Sequence, residues 1–542
     1  MVRDPGRLAD TTFDVLVIGA GIYGATLAWD AAQRGLSVAV LDRGDFGAAT
    51  SFNSVKTIHG GLRSLQRAAF GDMREFIRER RALSRIAPHL VHPLPFIVPT
   101  YRHPLRSQSL MRGVMAVNDL VGADRNALPD RSKHLPASRV VSRAECLALN
   151  PAIDPTGVTG GAVWYDCQMY SAERVTLSFL QSAHRAGAAV ANYVEALAFL
   201  RDGGRITGVR ARDLAADQSF DVRARLVINA AGPWVWSLLA TLEGQPHPAR
   251  ARGFSKAINL VTRPVAATHG LGGLVDGRFL FIAPWRNVSI VGTSHDAHPS
   301  ADPRVAVTRR DVDAFLAEAC RAFPRAGLTG SDVTLVHRGL LPAAAGAAGH
   351  ERLLKRSLVI DHGDNRLEGL ITVVGVRYTT ARATAERAID LAVARLGRPA
   401  GRCRTAATPL EGGDLESFPD FERAALAACA DCSTDTARRL VRCYGTGYSS
   451  VVRLMREQPG LARPLSPDCP VTRAEILHAI RHEMTVHLAD AVIRRTDAGS
   501  AGHPGAEAVQ AAASVMAAEL GWTDTRVRGE IDAVDRFYRI PD

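Results

Sequence analysis

Cysteine and lysine are scarce in this chain, and long apolar runs are missing. Eight cysteines among 542 residues follow no regular spacing, which excludes a disulfide framework and points to reduced thiols in a cytosolic protein. Cys429-Ala-Asp-Cys432 is a lone CxxC; with no second pair to complete four zinc ligands, it reads as small residues in a helical patch. No stretch of about 18 apolar residues occurs. The best, 226–242, is broken by Asn229, Gly232 and Pro233, so any membrane contact is expected to be peripheral, on the inner face. Residues 1–10 lack an apolar segment and do not read as a signal peptide. Only four of the 66 basic side chains are lysines, Lys56, Lys133, Lys256 and Lys355, so a lysine inside a motif carries more weight than an arginine.

What is present is a globular composition, 46% apolar and 22% charged, long enough for two or three domains of about 150 residues each. The net charge of +11 favours acidic partners such as phosphorylated small molecules or anionic lipid heads. Nucleic acid is not expected, because no recognition helix or aromatic-basic module is visible.

The strongest local signal lies near the amino terminus. Phe13 to Gly19 reads as a buried strand, followed by Gly21 and Gly24 and an alanine-rich helix to Arg34. A second strand runs from Gly35 to Leu41 and ends at Asp42. Strand, glycine turn, helix and acidic strand tip in this order form the dinucleotide fingerprint. Gly19 makes the tight turn, Gly21 lets backbone approach a pyrophosphate, and Gly24 lets the helix pack on the strand. Asp42 is the expected acceptor for the adenosine ribose hydroxyls.

Residues 46–63 are polar and rich in small side chains where a crossover helix would be expected of a nicotinamide enzyme. The hydroxyls of Thr50, Ser51 and Ser54, with Lys56, suit a loop threading along an extended cofactor, and Gly60-Gly61 suits close approach to a flat ring. Further along, 224–232 reads as a strand returning to the cofactor, with its turn at Ala231-Gly232. Leu370 to Gly375 reads as the last cofactor-lobe strand, opening into a helix at Thr379-Thr380.

These residues carry a resemblance. Val17 to Gly24, Ala49 to Lys56, Ile58-His-Gly-Gly-Leu-Arg63, Ala87 to Leu90, Tyr165-Asp-Cys167, Asn229 to Trp234 and Gly375 to Arg382 are similar to the FAD-dependent glycerol-3-phosphate dehydrogenase family, within the D-amino-acid-oxidase-like flavoproteins. Arg473 to Glu475, Arg481 to Met484 and Arg494-Arg-Thr496 resemble that family's helical carboxy-terminal domain. The resemblance implies a noncovalent FAD and oxidation of a secondary alcohol on an anionic substrate, glycerol 3-phosphate or a related polyol phosphate or 2-hydroxy acid. Electrons would pass to quinone or oxygen. Such chemistry needs a base of near-neutral pKa, for which His59 is the candidate, and fixed cations for the anion, for which Arg63 and Lys256 are the candidates. Three positions depart from the family pattern: Ser64 stands where a tyrosine is usual, Leu341 where an arginine is usual, and Arg377 where a lysine is usual. Arg338 and His337 are the nearby candidates to replace the missing charge.

The expected fold is α/β: a two-lobed Rossmann-like FAD-binding domain with an antiparallel-sheet substrate domain, plus an all-helical carboxy-terminal domain. The cofactor domain is assigned residues 1–95, 161–245 and 346–404, the substrate domain 96–160 and 246–345, and the helical domain 415–542. Residues 67–90 read as a helix whose arginines form a solvated face. Residues 98–124 read as an amphipathic element in a core or subunit contact rather than on lipid. His478, His482, Glu483 and His487 read as a polar helix rather than a metal site, because HExxxH does not align its histidines. A homodimer is the expected assembly. Two other functions stay open: an amine or amino-acid oxidase of the same superfamily, and a non-catalytic flavin-binding homologue.

Overall fold

A computed structural model describes residues 1–242, 253–265, 268–298, 305–344, 352–365, 367–429 and 432–542. The boundaries expected at 245/246 and 345/346, and the two residues inside the CxxC, lie outside the described residues.

Thr12–Ile18 is buried at every position after the first, as an apolar strand covered on both faces should be. It pairs in parallel with Val38–Leu41 on one side and Gln218–Asn229 on the other. The sheet continues through Leu370–Val374 to Leu358–Asp361 at one edge and to Ala189–Ala191 at the other. Successive side chains go to opposite faces. Val15 and Val17 join a core with the helices Ile22–Gln33, Ala172–Arg185 and Ala381–Leu396, whereas Leu16 and Ile18 pack with the hairpin Val194–Asp202/Arg205–Asp213. This is the expected cofactor lobe.

A second, mainly antiparallel sheet contains Val333–Ala344, Phe254–Thr262, Val288–Gly292, Arg278–Trp285, Gly270–Val275, Val91–Tyr101, Val158–Met169 and Thr57–Ile58, in that order. The helix Arg309–Ala322 covers it through Val312, Phe315 and Leu316. Boundaries drawn at 95/96 and 160/161 cut through Val91–Tyr101 and Val158–Met169, which pair with each other along their length. The proline-rich passage beginning at Pro93 is itself strand: Pro93, Pro95 and Pro99 share one parity, which leaves the intervening residues to supply donors to Val158–Met169.

The carboxy-terminal part is helical apart from the small hairpin Pro464–Ser466/Cys469–Thr472. It shares a core with the second sheet, where Leu465, Ile476 and Val492 meet Phe52, Val261, Trp285 and Leu335.

Two local expectations change, and the polar reading of 478–487 gains its partners. Within Phe70–Ile86 the arginines are not all solvated: Arg80 is buried. Gln108–Val121 fully buries only Met115 and leaves Leu110, Val117 and Leu120 exposed, so those side chains are not in a core. Glu483 accepts from Arg174 Nη1 at 2.7 Å through both oxygens and from Gln181 Nε2 at 3.4 Å, and His487 pairs with Glu530 at 2.8 Å, which gives these two residues structural partners.

Candidate functional site

Two of the fingerprint glycines, Gly19 and Gly24, are forced by neighbouring backbone. Gly19 adopts φ +95°, and a Cβ there would stand 2.7 Å from the Ala230 carbonyl oxygen. At Gly24 a Cβ would lie 1.7 Å from the Gly19 carbonyl oxygen, so the helix Ile22–Gln33 can sit against the turn only without one. Asp42 accepts from the amide of Ala20 at 2.6 Å and from that of Gly44 at 2.9 Å. Burial pushes its carboxyl up to about 6.

These residues open onto a cavity of about 670 Å³. Its wall is formed from the first sheet by Gly19, Gly21, Asp42, Ala231, Gly232 and Gly375, from the loop after Asp42 by Thr50, Ser51 and Ser54, and from the second sheet by Asn259, Gly339, Leu340 and Leu341. Arg43 stacks on Trp234 at 4.1 Å at one end, and Arg377 and Tyr378 stand on the wall as well. Ser51 Oγ accepts the Ile22 N–H at 2.9 Å, at the helix N-terminus where an anion is favoured. Thr50 Oγ1 donates to the Leu340 carbonyl at 3.4 Å, tying the loop to the second sheet.

The structure also shows a group that sequence reading missed: Tyr23. Its hydroxyl donates to the Arg377 carbonyl at 2.7 Å and accepts the amides of Val376 and Arg377 at 3.1 and 3.0 Å. A Cβ on Gly375 would lie 2.3 Å from the Tyr23 ring, so Gly375 makes room for this latch. A tyrosine inside the glycine fingerprint is the only signal that could have found it.

His59 follows the short strand Thr57–Ile58, and its amide donates to Thr379 Oγ1 at 3.3 Å. Thr379 and Thr380 are buried in the turn that opens Ala381–Leu396, and this contact sets the 377–379 turn beside His59. The ring Nδ1 lies 3.1 Å from Asp166 Oδ2, with the His59 side chain 45% exposed and Asp166 buried. Asp166 Oδ1 also accepts from the Gly60 amide at 2.6 Å and Arg80 Nη1 at 2.8 Å. Burial alone would raise the Asp166 carboxyl, but His59, Arg80 and the Gly60 amide hold it below its ordinary value. An ionised Asp166 can only accept, so Nδ1 carries the proton, and in the neutral ring the lone pair lies on Nε2. Asp166 and Arg80 are 107 and 21 residues from His59 along the chain, which is why local reading passed over them.

Gly60 and Gly61 serve this arrangement. A Cβ on Gly60 would meet Arg80 Nη1 at 2.2 Å, and one on Gly61, at φ +80°, would meet Phe76 at 3.0 Å. Their lack of side chains therefore admits Arg80 and Phe76.

The expected cations separate into two groups. Lys56 is fully buried, 2.8 Å from Glu173 and 2.6 Å from the Phe52 carbonyl; its ammonium is a core charge, not a cavity group. Lys256 gives its charge to Asp311 at 2.8 Å. His337 is fully buried and burial keeps its ring well below its ordinary pKa, so it supplies no positive charge in place of the absent guanidinium. Arg338 is half-buried behind the wall, its amide bound to Asn53 Oδ1 at 2.9 Å. Arg63 and Arg377 have no carboxylate in ion-pair distance among the described residues. Desolvation and the charge of Arg67 lower both, and Arg377 lies over the Phe76 ring at 4.9 Å.

The glycine cradle, the acid at the strand tip and the long cavity fit an extended dinucleotide, and a sheet-bounded wall at Arg377 and Tyr378, in the turn that adjoins His59, fits a flat redox ring. The comparisons agree. Residues 14–391 match the FAD dependent oxidoreductase family, and residues 403–527 match the C-terminal domain of alpha-glycerophosphate oxidase. A glycerol-3-phosphate dehydrogenase of Synechocystis is 30% identical over all of this chain and 99% of its own length. One from Mycobacterium leprae is 31% identical over 97% of this chain and 88% of its own. A solved glycerol-3-phosphate dehydrogenase from Bacillus halodurans, complexed with FAD, superposes with a TM-score of 0.78 at 25% identity, over 99% of this chain and 96% of that one. The chain is thus an enzyme with FAD as its cofactor, and it belongs to the FAD-dependent glycerol-3-phosphate dehydrogenase family.

Proposed function

We propose that this protein oxidises the secondary hydroxyl of a small phosphorylated alcohol, with glycerol 3-phosphate as the first candidate. The observation that carries the reading is that Arg63 and Arg377, two partly desolvated guanidiniums that both feel the charge of Arg67, have no carboxylate in ion-pair distance among the described residues. A partly desolvated guanidinium is costly unless an anion meets it, and its paired donors match phosphate.

The residues divide the work. Arg63 and Arg377 hold the anionic end. His59 Nε2 takes the hydroxyl proton, and the ionised Asp166 stabilises the imidazolium that results. Gly19, Gly21, Asp42 and Ser51 would hold the nucleotide part of FAD, with Thr50 and Gly375 beside its ring. The chemistry FAD supplies when bound is acceptance of a hydride from the alcohol carbon.

Anaerobic mixing of the yellow protein with glycerol 3-phosphate, other polyol phosphates, 2-hydroxy acids and amino acids tests this. Bleaching by the phosphorylated alcohol supports it; bleaching by amino acids alone points to an amine or amino-acid oxidase, and no bleaching by any of them points to a non-catalytic flavoprotein.

A further inference from the structure

Asp45 begins the loop that runs along the cavity, three residues after Asp42, and its carboxylate is buried. Two consecutive arginines from the other end of the chain enclose it. Arg494 Nε donates to Asp45 Oδ2 at 2.5 Å, and Arg495 donates through Nη2 to Oδ1 at 2.5 Å and through Nη1 to Oδ2 at 2.8 Å. Asn192 adds a contact at 3.3 Å. The arginines are themselves fixed: Arg494 Nη2 donates to Asp490 Oδ1 at 2.6 Å, which also receives the Tyr193 hydroxyl at 2.6 Å, and Arg495 Nε donates to the Glu483 carbonyl at 3.0 Å. They occupy the π-helical turn Asp490–Arg495, a rare winding that is frequent at functional sites.

From Asp45 the loop returns to the glycine turn. Phe46 packs beneath the Arg495 guanidinium at 5.7 Å, the Gly47 amide donates to the Ala20 carbonyl at 3.1 Å, and the Phe52 amide donates to Gly47. This closure brings Ser51 Oγ onto the Ile22 amide. We propose that Arg494 and Arg495 of the helical domain are positioning residues for the cofactor: through Asp45 they hold the loop 44–54 in its binding shape, so FAD affinity depends on a contact between groups 450 residues apart. The inference rests on FAD as the cofactor and adds the helical domain to its binding apparatus. Without the two guanidiniums a buried Asp45 carboxylate is left uncompensated, and relaxing the loop to reach water is its way out.

The test is FAD titration of full-length apoprotein, followed by flavin fluorescence, with the apoprotein melting temperature measured in parallel. Asp45→Asn and Arg495→Gln are expected to raise the FAD dissociation constant at least about tenfold, the scale of one lost charge-assisted hydrogen bond, with Arg495→Lys in between. Arg439→Gln breaks the buried pair with Glu475 inside the helical domain, away from the loop; it should lower the melting temperature and leave the dissociation constant within about twofold. An unchanged constant in Asp45→Asn overturns the proposal, as does an Arg439→Gln effect as large as that of Asp45→Asn. Should Arg495→Gln not fold, amide exchange on Arg495→Lys decides: faster exchange at Gly47 and Phe52 supports the clamp, and unaltered protection there overturns it. Wild-type apoprotein that takes up no FAD would instead sink the cofactor assignment, and that is seen before any variant is made.

Discussion

Asp166, in Val158–Met169, and His59, just after Thr57–Ile58, meet at 3.1 Å through ring Nδ1. Thr57–Ile58 pairs with Val158–Met169, with Ile58 opposite Cys167, so sheet register places the carboxylate beside the imidazole. The pair works only while Asp166 is ionised, a condition that Arg80 and the Gly60 amide maintain.

Replacement of that carboxylate by an amide should therefore act on proton transfer and not on cofactor content. Asp166→Asn is expected to retain FAD and to slow anaerobic flavin reduction by about 10²-fold or more, the scale of acid–base loss and of a wrong tautomer. Rapid-mixing absorbance of the bound flavin measures it.

Arg377→Met should raise KM for a phosphorylated alcohol by about 10- to 100-fold, the worth of one hydrogen bond to a charged group. Turnover of an uncharged polyol should change little. Steady-state kinetics on glycerol 3-phosphate and glycerol side by side make the comparison.

Burial raises the Asp42 carboxyl to about 6, above the value of an unfolded chain, so it takes up a proton on acidification before an ordinary aspartate would. Ribose hydroxyls donate better to the carboxylate than to the acid. The FAD dissociation constant should accordingly rise about tenfold between pH 7 and pH 5 by proton linkage, and Asp42→Asn should flatten the profile. Titration of the apoprotein at several pH values shows whether it does. For the empty fold the sign is opposite: the raised carboxyl contributes stability below about pH 4 that is lost as pH rises through about 6.

Lys56→Met leaves Glu173 buried with no ammonium to meet it. The expected cost is about 3–5 kcal/mol of stability, as for other broken buried pairs, read as a fall in the denaturation midpoint. Lys56→Met with Glu173→Met should recover much of it, because apolar side chains of similar size remove both charges from the core.

The cofactor lobe was legible because its signals are local. The apolar run Val15 to Ile18, the three glycines and Asp42 lie within about 30 residues, and strand, turn and helix form in the order that spacing alone suggests. The surroundings of His59 were less legible because its partners arrive from distant elements, Asp166 on the second sheet and Arg80 on the helix Phe70–Ile86. Asp166 was visible only as part of a matching tripeptide, and Arg80 looked like one more surface arginine on an amphipathic helix. Lysine rarity carried no signal of a cavity group: Lys56 and Lys256 are paired with Glu173 and Asp311, as many of the arginines are with acids. The passage from Pro93 reads as a crossing by composition and is a strand by pairing, Val91–Tyr101 against Val158–Met169.

The most direct test of the account is the rate of anaerobic flavin reduction by glycerol 3-phosphate in wild type and His59→Ala at equal FAD occupancy. The account predicts prompt bleaching in the first and a rate lower by about 10²-fold or more in the second; equal rates in the two proteins would contradict it.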